Sequence, residues 1–145
     1  MLAPLIPVVS GASIAPLPGW EEAQRFEDPE GVRITQGNGS LDVFGLPYGG
    51  TAEDLYREYI VEALEAQSSQ LQSSEVVETF TAGGRDAVRG SYVGLFGDLG
   101  PVEGEVAALV TADGTGVIFD GWARQGLFVH VSEEVRLMVE GVRLG

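Results

Sequence analysis

The sequence predicts an α+β domain: an antiparallel sheet of about six strands in ββ-α-ββββ-α order, with amphipathic helices packed on it. Three observations predict this. Strand-like alternation recurs between glycine-rich turn signals, two longer stretches carry a helical period, and the links between strands are too short for parallel crossovers. The 145 residues, 44% of them apolar, suit one domain with a real core. Residues 1–16 carry three prolines before Leu17 and are expected to be a flexible or edge segment; residues 17–145 form the single domain.

In chain order, Leu17-Pro18-Gly19-Trp20 reads as a turn followed by an aromatic anchor. Val32–Thr35 and Leu41–Phe44 alternate as strands around Gly37-Asn38-Gly39. Asn-Gly is a strong type I′ signal, so Asn38-Gly39 is the expected turn, with Ile34 opposite Val43 and Thr35 opposite Asp42. Thr51, with Asp54 three residues on, forms a capping box that opens a helix. At about 100° per residue, Leu55, Tyr56, Tyr59, Ile60, Ala63, Leu64 and Ala66 share its apolar arc, and Val61 alone is misplaced. Ser68 to Ser74 is expected to be a polar loop. Four strand-like runs follow: Glu75–Thr81, Asp86–Phe96, Val102–Thr111 and Thr115–Ala123. The stretch from Gln125 to Glu140 is helical, with Leu127, Phe128, Val131, Val135, Met138 and Val139 on one arc and Gly141 closing it.

This order and its local phrases resemble the PsbP/Mog1-like superfamily and its bacterial DcrB-type relatives. The phrases are Leu17 to Trp20 before the first hairpin, Gly49 to Leu55 opening the helix, Ala82 to Tyr92 across a strand pair, and the closing Met138 to Val142. The resemblance implies a sheet sandwiched by helices and used as a protein-binding scaffold, not as an enzyme. Relatives include photosystem assembly factors, a small-GTPase regulator and envelope or secretion accessory proteins. It therefore implies a non-catalytic accessory module, favouring an extracytoplasmic or cell-envelope location, although no signal peptide is visible in the sequence.

Charge and composition narrow the partners. The net charge of −14 comes from 22 acids against eight basic residues, all of them arginine. Such a field repels phosphate backbones, so nucleic acid and anionic membrane are poor partners; a basic protein, a cation or no charged partner at all stays open, and an unidentified protein partner is expected. No cysteine is present, so thiolate chemistry and cysteine metal sites are absent. His130, the sole histidine, lies beside Glu133 and Glu134 and off the apolar arc, as a surface imidazole would. No spacing for zinc, calcium or phosphate binding is found, so neither a metal nor a cofactor is expected.

One candidate surface follows from the last hairpin. With Asp113-Gly114 as a two-residue turn, Ala112 faces Thr115, and Val110–Val117 and Ala108–Phe119 line an apolar face. The other face then pairs Ala107 with Asp120, Glu105 with Trp122 and Glu103 with Arg124. Trp122, ringed by Glu103, Glu105 and Asp120 with Arg124 nearby, is the candidate partner-binding residue. The plainer alternative packs Trp122 under a helix or the N-terminal segment, with Glu103 and Arg124 a surface ion pair. Two other functions stay open: a small-molecule-binding domain with a cavity between sheet and helix, and a hydrolase built on two cleft carboxylates of perturbed pKa.

Overall fold

Eleven strands and two α-helices make up the structure, a computed structural model that describes residues 4–145. The strands are β1 (Ile6–Val9), β2 (Ala12–Ile14), β3 (Glu21–Glu27), β4 (Glu30–Gln36) and β5 (Gly39–Pro47), then β6 (Ser69–Ser73), β7 (Glu78–Ala82) and β8 (Arg85–Leu95) after the first helix. β9 (Pro101–Val110), β10 (Thr115–Arg124) and β11 (Arg143–Leu144) complete the set. Helix α1 (Ala52–Tyr59) runs on into a π-helical segment, Ile60–Glu65, and α2 spans Ser132–Glu140.

The main sheet is antiparallel throughout, in the order β3-β4-β5-β10-β9-β8-β6, with β7 sharing the outer edge of β8 with β6. A second, three-stranded sheet, β1-β2-β11, is built from the two chain ends. α1 and the π segment cover one face of the main sheet, burying Leu55, Tyr56, Ile60 and Leu64 against Val88, Val106 and Ile118. α2 and the small sheet cover the other, where Val8, Ile14, Val135 and Met138 meet Val32, Leu41, Leu109 and Phe119. Both faces of the central strands are therefore apolar, and the chain forms three layers.

The local signals of the sequence are visible here. The Thr51 hydroxyl accepts from the Asp54 N–H at 3.1 Å, and the Asp54 carboxylate accepts from the Thr51 N–H at 3.4 Å. Trp20 is buried behind the turn in which its N–H bonds to the Leu17 carbonyl, and its indole N–H reaches Glu134 at 2.7 Å. Close helix packing is possible because Gly90 of β8 has no side chain: a Cβ there would stand 2.2 Å from the Tyr56 hydroxyl.

Several expectations are corrected. The main sheet has eight strands, not six, because the charged β3 and the polar β6 both pair. The 125–140 stretch is not one helix: a 3₁₀ turn, Phe128–His130, precedes α2. Ala66 is exposed, because i→i+5 winding lags the α-helical step and swings the later residues outward. The first hairpin turns at Gly37-Asn38, where Gly37 has φ +57° as a type II′ turn requires at its first central position. Its register pairs Ile34 with Leu41 and Arg33 with Asp42, keeping the expected faces. The last hairpin has a three-residue loop, Ala112 to Gly114, with Gly114 at φ +86° and the Thr111 N–H bonded to the Thr115 carbonyl at 2.8 Å. This G1-bulge loop slips the register by one, pairing Val117 with Leu109, Asp120 with Val106 and Trp122 with Gly104.

Candidate functional site

A half-open cleft of about 480 Å³ lies between the α1–π helix and the main sheet. The helix contributes Tyr59, Glu58, Glu62 and Ala63; the sheet contributes Phe26, Arg33, Asp42, Phe44, Tyr92, Asp120 and Trp122; Phe96 and Leu99 add to the lining. Its size suits a small ligand or an inserted side chain with its flanks.

The floor is a polar network among apolar neighbours. Asp42 of β5 and Asp120 of β10 are directly opposed across the two strands, and both are buried. Arg33 of β4, opposed to Asp42 on the other side, forms a bidentate pair with it at 2.7 and 3.0 Å. Trp122 Nε1–H donates to Asp42 Oδ2 at 3.2 Å. Asp120 has no arginine of its own; it accepts from Tyr59 at 2.7 Å and from Tyr92 at 2.8 Å. The Arg33 guanidinium also stacks 5.2 Å from the Trp122 ring centroid and 5.5 Å from that of Phe26.

This placement perturbs protonation. Burial first, and the Asp42 carboxylate second, push Asp120 up to about 7, while the Tyr59 and Tyr92 hydroxyls and Arg33 pull against that rise. Burial and the neighbouring Asp120 raise both phenols well above the ordinary tyrosine range. Asp120 therefore titrates near neutrality, inside an aromatic enclosure.

The one-residue slip redistributes the expected surface. Trp122, half-buried, and Asp120 lie on the cleft face of β10, and Arg124 ends the same face in solvent. Glu103 and Glu105 do not ring Trp122: in the three-residue-loop register they belong to the opposite face. There Glu105 pairs with Arg136 of α2 at 2.7 Å, and Glu103 accepts from the Gly126 N–H at 2.9 Å. The acids that do flank Trp122 and Asp120 are Asp42 on the floor and Glu58 and Glu62 on the rim. Sequence reading missed Asp42, Arg33, Tyr59 and Tyr92 as a group. A turn at Gly37-Asn38 would have signalled the first two, since it sets opposite charges across from each other. His130 is exposed in the 3₁₀ turn. Among the described residues no three His, Asp or Glu side chains converge as a metal cage requires.

No protein-family model matches the chain, and no curated protein matches it. Solved structures do. The chain is similar to cyanobacterial PsbP from Synechocystis sp. PCC 6803, with 16% identity and a TM-score of 0.65 over 93% of this chain and 87% of that one. It is similar to LpqN, involved in cell envelope biogenesis of Mycobacterium tuberculosis, with 11% identity and a TM-score of 0.67 over 99% and 90%. The Ran-binding protein Mog1p of Saccharomyces cerevisiae shares 12% identity and a TM-score of 0.61 over 99% and 96%. These likenesses establish the PsbP/Mog1-like fold. Among the described residues no helix is long and apolar enough to cross a membrane.

Proposed function

We propose that this chain is a non-catalytic, protein-binding accessory module whose recognition element is the cleft beneath the α1–π helix. The observation that carries this reading is how the cleft's two buried carboxylates are held: each is anchored by two side chains that also line the cleft. Asp42 is held by Arg33 and Trp122, and Asp120 by Tyr59 and Tyr92. A general base or nucleophile needs a partner to which its proton passes, and the neighbours of Asp120 are two phenols that themselves donate to it. Here the polar floor instead braces the aromatic walls, as a preformed binding site demands. Trp122, with Asp120 behind it, is the proposed contact residue; its half-buried indole fits an interface anchor. Glu103, Glu105 and Arg124 remain outside the cleft, the two glutamates on the α2 face.

The fold analogy supports the same reading: Mog1p is a Ran-binding protein and LpqN takes part in cell envelope biogenesis. The LpqN likeness also favours a cell-envelope position. A small-molecule ligand is the second reading, favoured by the volume of the cleft. The test is photo-crosslinking in the native host. A crosslinking residue at Leu99, on the cleft rim, should capture one discrete protein, and Trp122→Ala should abolish that adduct at a temperature where the variant is shown by circular dichroism to remain folded. The same adduct captured from Val76, exposed and outside the cleft lining, would reject the cleft as the contact site.

A further inference from the structure

We infer that the cleft receives an arginine or lysine side chain from a basic segment of a partner protein, an identification that rests on the binding reading above. Charge is the first ground. Five carboxylates line the cleft, those of Asp28, Asp42, Glu58, Glu62 and Asp120, against the single guanidinium of Arg33. Arg33 is committed to Asp42, so Asp120 is a buried acid whose partners are two neutral phenols. A carboxylate that has accepted two hydrogen bonds still has lone pairs to offer a cation.

The walls supply the second ground. Ring faces attract cations through their quadrupole, and Arg33 already demonstrates the geometry, stacked between Trp122 and Phe26 while bonded to Asp42. Tyr59, Phe44 and Phe96 extend the aromatic lining beyond that seat and would flank the aliphatic stem of a second basic side chain. The third ground is long range. The exposed side of α1 and the π segment adds Glu53, Asp54 and Glu65 to the rim acids Glu58 and Glu62, against one arginine, Arg57, which is itself paired with Glu53. A field spread along a whole helix steers a multiply charged segment better than a single small amine.

A capped peptide of alternating glycine and arginine is the probe, with its citrulline counterpart as the uncharged isostere. The readout is the indole N–H resonance of Trp122 in the intact protein, with Trp20, buried on the other side of the sheet, as the internal control. The arginine peptide should move Trp122 saturably, leave Trp20 in place and bind at least about tenfold tighter than the citrulline peptide. Asp120→Asn should bring the two within about twofold of each other. It removes one of 22 acids, so diffuse attraction to the surface would survive it. Glu62→Gln on the exposed rim, which does not touch the core, should narrow the preference as well, while Glu133→Gln on α2 should not. Equal shifts from both peptides would overturn the cationic occupant and leave the cleft as a binding site. Shifts scattered over the acidic surface with Trp122 unmoved would overturn it too, as would saturation of Trp122 by phenethylamine but not by the arginine peptide. If neither peptide nor amine moves Trp122, the binding reading falls with it.

Discussion

Asp120→Asn should remove a pH dependence from the stability of this protein. The carboxyl is buried to 4% exposure beside Asp42, and its pKa rises from an ordinary 3.8 to about 7. A folded-state pKa above the unfolded value means that the native state holds a proton the unfolded chain has released. The stabilisation is complete below about pH 4, declines as pH rises, and is gone above the folded value near 7. At about 1.4 kcal/mol per unit, the shift corresponds to a loss on the order of 4 kcal/mol between those limits. Glu78, bonded to Arg89, and Asp113, bonded to Thr111, are held below the ordinary range, so their contributions fade only under more acid conditions. Urea unfolding at about pH 5 and pH 8 isolates the effect, in about 0.5 M salt to screen the general repulsion of a −14 chain. The wild type should be markedly weaker at pH 8. The asparagine variant should show a nearly flat profile, because it mimics the protonated acid. A flat wild-type profile, or an undiminished slope in the variant, would refute the reasoning that Asp120 is the buried, uncompensated partner of Asp42.

Other outcomes follow from the packing. Ile60→Ala, at a residue 7% exposed under the π segment, should cost about 2–5 kcal/mol by urea midpoint. Tyr56→Phe removes a buried hydroxyl that has no hydrogen-bond partner, so it should leave stability unchanged or raise it by about 1 kcal/mol; a loss of 2 kcal/mol or more would mean the hydroxyl is satisfied. Melting temperatures with and without a chelator should coincide, and a drop of several degrees on chelation would reveal a structural metal.

What could be read from the sequence rests on contacts between near neighbours. The Thr51–Asp54 box, the helical arc from Leu55 to Leu64 and the turn before Trp20 each depend on residues within about two turns of one another. Alternation along β10 put Asp120 and Trp122 on one face for the same reason. Register was decided elsewhere. At Gly37-Asn38-Gly39 two turns compete, and both keep the same side chains on the same face, so pattern could not choose between them. At Ala112-Asp113-Gly114 the rival turns differ by one residue, which does flip faces. Yet the half of β9 next to the turn, Val106 to Val110, is apolar on both sides because helices and the small sheet cover both sides, so no local penalty there marked the wrong choice. β3 and β6 escaped notice because an open strand edge, not an apolar pattern, recruits them. The cleft was the least accessible of all. Its bonds join Tyr59, Tyr92 and Trp122 to the two aspartates across 61, 28 and 80 residues of chain. They exist only because the sheet order sets β5 beside β10 and Asp42 across from Asp120, a neighbour relation that only tertiary packing creates.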